Sequence, residues 1–218
     1  HESTNDDREL ISIAVMPCTA KKYEASRKEF TDENGKRIIE ISLTTQELSR
    51  MIRNSGIRFE DLYPEYLDAP FDMGGSGAGV IFGVTGGVAE AVIRACIAEK
   101  SSSALKDIKF CGVRGKEQIK QATIFVGDNK ITIGVVYGLK NVEYVIEAMK
   151  KGELHFDLVE VMACPEGCIG GAGQPFALMP ERDKRAKGLY HTDDAVQIRF
   201  SDKNPALNEI YGLLGKDV

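Results

Sequence analysis

Apolar residues in this chain fall into short runs whose spacing changes from segment to segment. Ile11–Met16 (ISIAVM) is the first apolar run, the pattern of a buried strand, and it stops at Pro17, which has no N–H for a ladder. Thr19–Lys36 is polar and charged, a loop or a solvated helix face. Thr44-Thr45-Gln46-Glu47 has the capping-box pattern, and Leu48, Met51 and Ile52 lie on one face of the helix behind it. Pro64–Phe71 is irregular. A glycine-rich run, Gly74–Gly83, follows; Thr85 is then the expected N-cap of a helix carrying Val88, Ala91, Val92, Ala95 and Cys96. Ile108–Val113 reads as a strand. Ala122–Val126 and Ile131–Tyr137 flank Gly127-Asp128-Asn129 and read as a hairpin. Val142, Val145, Ile146 and Met149 mark an amphipathic helix ended by Gly152, and Leu158–Met162 is another buried strand. The last quarter is helical and polar, its final helix starting at Asn204-Pro205. This alternation predicts an α/β fold over residues 1–218 as a single domain: a small central sheet of about four strands flanked by helices.

Composition narrows the function classes. The chain has 218 residues, 43% of them hydrophobic, enough for a substantial core. No run approaches the roughly 18 apolar residues of a membrane span. The net charge of −5 comes from interspersed acids and bases, with no basic stripe, so nucleic acid is not an expected partner. The charged start has no signal-peptide character, and His1 in place of an initiator Met suggests an excised, tagged or processed chain. Five cysteines, an odd number without a secretory signal, argue against a disulfide framework and for cytoplasmic thiols: ligands, nucleophiles or small core residues.

Two of those cysteines stand just past strand ends, Cys18 in VMPCTAKK and Cys164 in VMACPEGC. In open α/β sheets the crevice beyond the strand carboxyl ends is the usual ligand site. Cys168 lies on the same Pro165- and Gly167-containing turn as Cys164. The small residues that follow, Gly170-Gly171-Ala172-Gly173, let backbone N–H groups approach a cofactor closely. Such N–H groups stabilise negative charge on sulfur. A zinc half-site and plain core packing remain alternatives at this level. Cys96, on an apolar helix face, and Cys111, within a strand, read as small buried hydrophobes. The Gly74–Gly83 run lacks the Gly-Lys-Ser/Thr of a phosphate loop, so a loop packed on a cofactor is at least as good a reading as a nucleotide site.

MPCTAKKYEA (Met16–Ala25) and EVMACPEGCIGGAGQP (Glu160–Pro175) closely resemble the second and third signature motifs of iron-only (diiron) hydrogenases. LTTQELSRMI, GAGVIFGVTGGVAEA, Val113-Arg114-Gly115 and NPALNEIY also resemble that family, so the likeness runs from about Ile11 to Gly215. It implies the C-terminal lobe of a two-lobed catalytic domain. The cofactor implied is a four-iron, four-sulfur cluster joined through a cysteine to a diiron unit with carbonyl, cyanide and dithiolate ligands. Cys18, Cys164 and Cys168 match the cluster ligands, Cys168 being the shared one. Lys21 matches the lysine that hydrogen-bonds a cyanide, and Met16, Met162 and Phe82 match the apolar residues that keep the site dry. The resemblance also implies that the Pro17 backbone lines the cyanide pocket and that Gln174, at the end of the glycine run, lies beside the cofactor.

The resemblance implies a ferredoxin- or NAD-linked cytoplasmic oxidoreductase that interconverts dihydrogen with protons and electrons. The chain departs from it in three places. No Cys-Cys pair is present to give the fourth cluster ligand and the proton donor, so an N-terminal lobe is an implied partner and this lobe alone is expected to be inactive. Ala172 replaces a glycine. Glu166 replaces a small residue, and a carboxylate beside two thiolates is expected to point to solvent. The rival readings are a hydrogen-sensing relative and an iron–sulfur assembly relative that binds a cluster without turnover.

Overall fold

The computed structural model describes residues 9–66, 68, 74–97, 113–115, 117–126 and 128–214. They form two compact units. The first comprises residues 1–63 together with 171–176, the second residues 64–170 and 177–218.

In the first unit β1 (Ile13–Met16) pairs in parallel with β2 (Ile41–Thr44), Met16 opposite Thr44. The polar stretch between them holds a short helix, α1 (Ala20–Glu24), and a 3-10 turn at Lys28–Phe30. Directly after β2 the chain turns into α2 (Thr45–Asn54) through the expected capping box. The Thr44 hydroxyl accepts from the Glu47 amide at 3.1 Å, and the Glu47 carboxylate accepts from the Thr44 amide at 2.8 Å. Lys22 reaches the same carboxylate at 2.8 Å and the Ser42 carbonyl at 2.7 Å, tying the crossover to β2. β1 buries little: Ile13 and Val15 are 55% and 45% exposed, so this parallel pair shows an apolar face where such strands are ordinarily covered on both sides.

The second unit is three-layered. β3 (Ile119–Val126) and β4 (Asn129–Tyr137) form the predicted hairpin, and β5 (Leu158–Met162) adds in parallel to β4. Alternation along β4 sends Ile133 and Val135 to one face, where they pack with Ala89 and Ile93 of a helix at Gly87–Cys96. Val136 goes to the other face, against Val145 of a helix at Leu139–Lys150 and against Phe156. Between them, Gly134 leaves room for the Phe156 ring, which a Cβ would meet at 3.0 Å. The glycine-rich run is a short helix, α3 (Gly77–Val80), capped by the Ser76 hydroxyl, then a 3-10 turn at Ile81–Gly83. The helices at Gly87–Cys96 and Leu139–Lys150 are α4 and α5. Helix α6 (Met179–Ala195) packs against α3, and α7 (Ala206–Leu214) follows.

The α/β class with flanking helices is as the sequence predicts, but the described strands divide between a parallel pair and a mixed three-stranded sheet. The strand expected at Ile108–Val113 and Cys111 lie outside the described residues, apart from Val113, which is fully buried. The cap of α4 is Gly86, not Thr85: Gly86 takes φ +88, and a Cβ there would meet the Val113 carbonyl oxygen. Cys96 is exposed at the last turn of α4 rather than buried.

A charged network holds α4, α6 and two loops together. Arg94 of α4 donates to both oxygens of Asp193 on α6 at 2.8 Å, and also to Glu90. Arg114 grips Glu90 with two nitrogens at 2.7 and 2.8 Å, and Arg199 reaches Asp193 and Asp194. Burial pushes the Asp193 carboxyl up, but the hydrogen bonds from Arg94 and Arg199 outweigh it and hold the group below the usual range. Glu90, Arg94 and Asp193 are fully buried, so removing one partner would strand an opposite charge.

Glu47 carries a pH prediction. Lys22 first, and the Thr44 amide second, lower its carboxyl from 4.5 to about 2. A depressed folded-state pKa gives stability that is complete above 4.5 and is lost as pH falls from 4.5 toward about 2. Urea unfolding followed by circular dichroism is therefore expected to show a steeper acid loss for the native chain than for Glu47→Gln, with the two curves running parallel above pH 5.

Candidate metal centre

Five of the predicted site residues lie in the first unit. Met16 ends β1, and Pro17 and Cys18 follow it. Cys18 is half-buried. Its backbone is covered by the glycine run: the Gly173 amide donates to the Pro17 carbonyl at 3.1 Å, and a Cβ on Gly173 would come within 2.7 Å of the Cys18 nitrogen. The Gly173 carbonyl in turn accepts from the Gln46 amide at 3.0 Å, which anchors the run to the start of α2. Gln174 is half-buried on the same run. Lys21, on α1, directs its ammonium to Glu24 at 2.8 Å.

The remaining four lie in the second unit. Met162 ends β5. Cys164 and Cys168 open and close the turn that follows, with the Gly167 amide donating to the Cys164 carbonyl at 3.2 Å. The 3-10 turn at Cys168–Gly170 packs on the one containing Phe82, whose ring is 46% exposed. What fixes the cysteine turn is a contact between backbones. Gly167 takes φ +91, and a Cβ on it would meet the Thr85 nitrogen at 2.7 Å and the Gly83 oxygen at 3.0 Å, while the Thr85 amide donates to the Glu166 carbonyl at 3.1 Å. The strand leading into the turn is tied to the same place. Glu160 of β5, 7% exposed, accepts from the Gly86 and Ala89 amides at 2.6 and 2.7 Å and so satisfies the first turn of α4. Lys120 lies buried nearby, its ammonium donating to the Gly115 carbonyl; burial pulls its pKa down, with Glu160 acting the other way.

Glu166 differs from its expected position. It is 7% exposed, and it is a non-glycine residue at φ 62. The turn places a left-handed residue before Gly167, and the side chain there is buried instead of facing solvent.

Glu160 and the Arg94–Asp193 network were missed by sequence pattern. The signal was there: Glu160 is the one charge in an apolar strand, LVEVM, and Arg94 interrupts an apolar helix, VIRAC. A lone buried charge implies a partner without naming it.

Cys18, Cys164 and Cys168 are in no disulfide and each is half-buried. Among the described residues no three His, Cys, Asp or Glu side chains gather around a point where a single metal ion would sit. Soft thiolates are the donor type that holds iron–sulfur clusters, which take their thiolates at separate corners.

Residues 1–172 match the family described as iron only hydrogenase large subunit, C-terminal domain, and residues 179–216 match iron hydrogenase small subunit. The chain belongs to the iron-only hydrogenase large-subunit family. It is 42% identical to the NADP-reducing hydrogenase subunit HndD of Solidesulfovibrio fructosivorans, over 95% of this chain and 35% of that protein. It is 37% identical to iron hydrogenase 1 of Clostridium pasteurianum, over 94% and 37%. A cytosolic iron–sulfur assembly component 3 from Pongo abelii is also similar, at 31% over 93% and 43%. The chain thus spans less than half the length of these relatives. Among solved structures, an FeFe-hydrogenase of Chlamydomonas reinhardtii aligns with a TM-score of 0.70 at 30% identity, over 93% of this chain and 58% of that one. A structure concerned with stepwise assembly of the FeFe-hydrogenase H-cluster also scores 0.70, at 30%, over 94% and 60%.

The close backbone contact at Gly167 makes a prediction. Gly167→Ala combines a strained φ with a clash against backbone, and is expected to destabilise the chain by about 2–3 kcal/mol. Gly152→Ala has φ +74 but nothing within 4 Å of the added carbon, so only about 1 kcal/mol of strain is expected. Paired denaturation curves separate the two; equal losses would mean that the contact at Gly167 relaxes freely.

Proposed function

We propose that this chain is one lobe of the catalytic domain of an iron-only hydrogenase, contributing Cys18, Cys164 and Cys168 as ligands of a four-iron, four-sulfur cluster. The observation that supports the reading is the family match over residues 1–172, which includes Cys18 in MPCTAKK and Cys164 and Cys168 in VMACPEGC. When bound, the linked diiron unit supplies the polarisation of dihydrogen and the cubane supplies the electron path. This chain's residues hold and insulate that group. Cys168 is the shared thiolate. Met16, Phe82 and Met162 exclude water, Pro17 and Gln174 line the ligand shell, and Lys21 offers its ammonium to a cyanide nitrogen. For Lys21 to act so, it has to exchange its present partner Glu24 for the ligand.

The fourth thiolate and the proton donor come from the part of the relatives that this chain does not span. The exposed apolar face of β1, with Ile13 and Val15, gives that part a surface to cover. A ferredoxin-like or NAD-linked carrier and a cytoplasmic setting follow from the same reading. Alone, the lobe is inactive. A second reading is a cluster-binding protein without turnover, which the likeness to the iron–sulfur assembly component supports. The intact MPCTAKK with Lys21 favours the hydrogenase reading, since an ammonium aimed at a cyanide has no use without a diiron unit.

Anaerobic reconstitution of the chain with iron and sulfide is expected to give a cubane absorbance and electron paramagnetic resonance signal. Cys18→Ser, Cys164→Ser and Cys168→Ser are each expected to cut bound iron at least severalfold, whereas Cys96→Ser leaves it unchanged. A Cys164→Ser chain that loads iron equally well defeats the ligand assignment. The catalytic reading fails if neither the native reading frame upstream of His1 nor a partner subunit encodes a lobe with paired cysteines.

A further inference from the structure

A pocket of ≈ 180 Å³ lies wholly within the second unit, between the Val84–Thr85 turn, the Arg114–Gly115 loop, the cysteine turn and α6. Its walls carry two buried polar atoms, Thr85 Oγ1 and Glu166 Oε2, that have no hydrogen-bond partner among the described residues. Thr85 is 4% exposed and Glu166 7%. A buried oxygen left unmet destabilises a fold by roughly 1–3 kcal/mol, more when charged, so two of them beside one cavity point to an occupant that meets them.

The cation on the wall is not that occupant. Arg114 gives two nitrogens to Glu90 and lies over the Tyr190 ring at 4.0 Å. Its network is balanced within itself, Arg94, Arg114 and Arg199 standing against Glu90, Asp193 and Asp194. Glu166 is in none of the ion pairs of that network. An unmet carboxylate oxygen on the wall is an acceptor, which disfavours an anion. Among the described residues no three metal-ligating side chains converge, which disfavours a multivalent metal ion. A neutral alcohol would leave the carboxylate charge without a counter-charge.

We propose that the pocket binds a small aliphatic ammonium, its N–H groups donating to Glu166 Oε2 and Thr85 Oγ1 and its alkyl part resting on Val84 and Ile169. The volume suits an amine of roughly two to four carbons, equivalent to several waters. None of the three cysteines is among the lining residues, although Glu166 lies on the turn between two of them.

The test is a nuclear magnetic resonance titration of the ¹⁵N-labelled full chain with propylammonium chloride, with sodium chloride and 1-propanol as controls. Saturable shifts are expected at the Thr85, Glu166 and Gly167 amides with the ammonium alone. Glu166→Gln is expected to weaken binding about tenfold or more, and Thr85→Val severalfold. Glu166→Gly guards against a folding artefact, because glycine takes the left-handed position without strain; it keeps the native spectrum and loses the binding. Absence of saturable shifts, an equal response to 1-propanol or sodium chloride, or undiminished binding by Glu166→Gln and Glu166→Gly overturns the proposal. The cluster reading is judged separately, by iron content of the cysteine variants.

Discussion

Two stretches of main chain meet without side chains between them: Gly167 lies on the backbone of Gly83–Thr85, close enough that no Cβ would fit. Most of the second unit's order can be traced from this contact. It sets the direction in which the Cys164–Cys168 turn leaves β5, a turn on which Glu166 is left-handed with its side chain buried. Glu160 reinforces it from the strand side. A carboxylate in an otherwise apolar strand is unfavourable unless its oxygens are met, and here both accept amides from the start of α4. Strand, helix terminus and cysteine turn are thereby fixed to one another.

The charge network performs the corresponding task at the other end of α4. Hydrophobic packing alone would hold α4 on the sheet through Ala89 and Ile93, but it would tolerate sliding. The paired hydrogen bonds between Arg94 and Asp193, and between Arg114 and Glu90, are directional and fix the helix relative to α6 and the Arg114 loop. Buried ion pairs of this kind contribute little net stability, because desolvation offsets the attraction. Their contribution here is to position.

Much of this architecture was legible in the sequence because it rests on local rules. The capping box at Thr44–Glu47, the hairpin and β5 each follow from spacing within a few residues. What escaped depended on partners distant in sequence. Thr85 has the right chemistry for an N-cap, but Gly86 takes the position because Val113 crowds it and Glu160, far along the chain, supplies the acceptor. Cys96 sits on the apolar side of its helix pattern, yet the helix ends there and leaves it exposed. The three cysteines were singled out by their motifs alone; the burial of Glu166 was not legible, because its turn packs on another loop far away in sequence.

The first unit is built from two pieces of chain, residues 1–63 and 171–176. The second piece is short, but it supplies the glycine that covers the Pro17–Cys18 backbone and anchors to α2. On the ribosome, then, the amino-terminal unit cannot close when its own strands emerge. It waits while more than a hundred further residues are made, on the order of ten seconds of synthesis. During that interval the parallel pair β1–β2 and the thiol of Cys18 are present without their cover. The order of synthesis therefore leaves this unit open until residues 64–170, most of the second unit's chain, have been made.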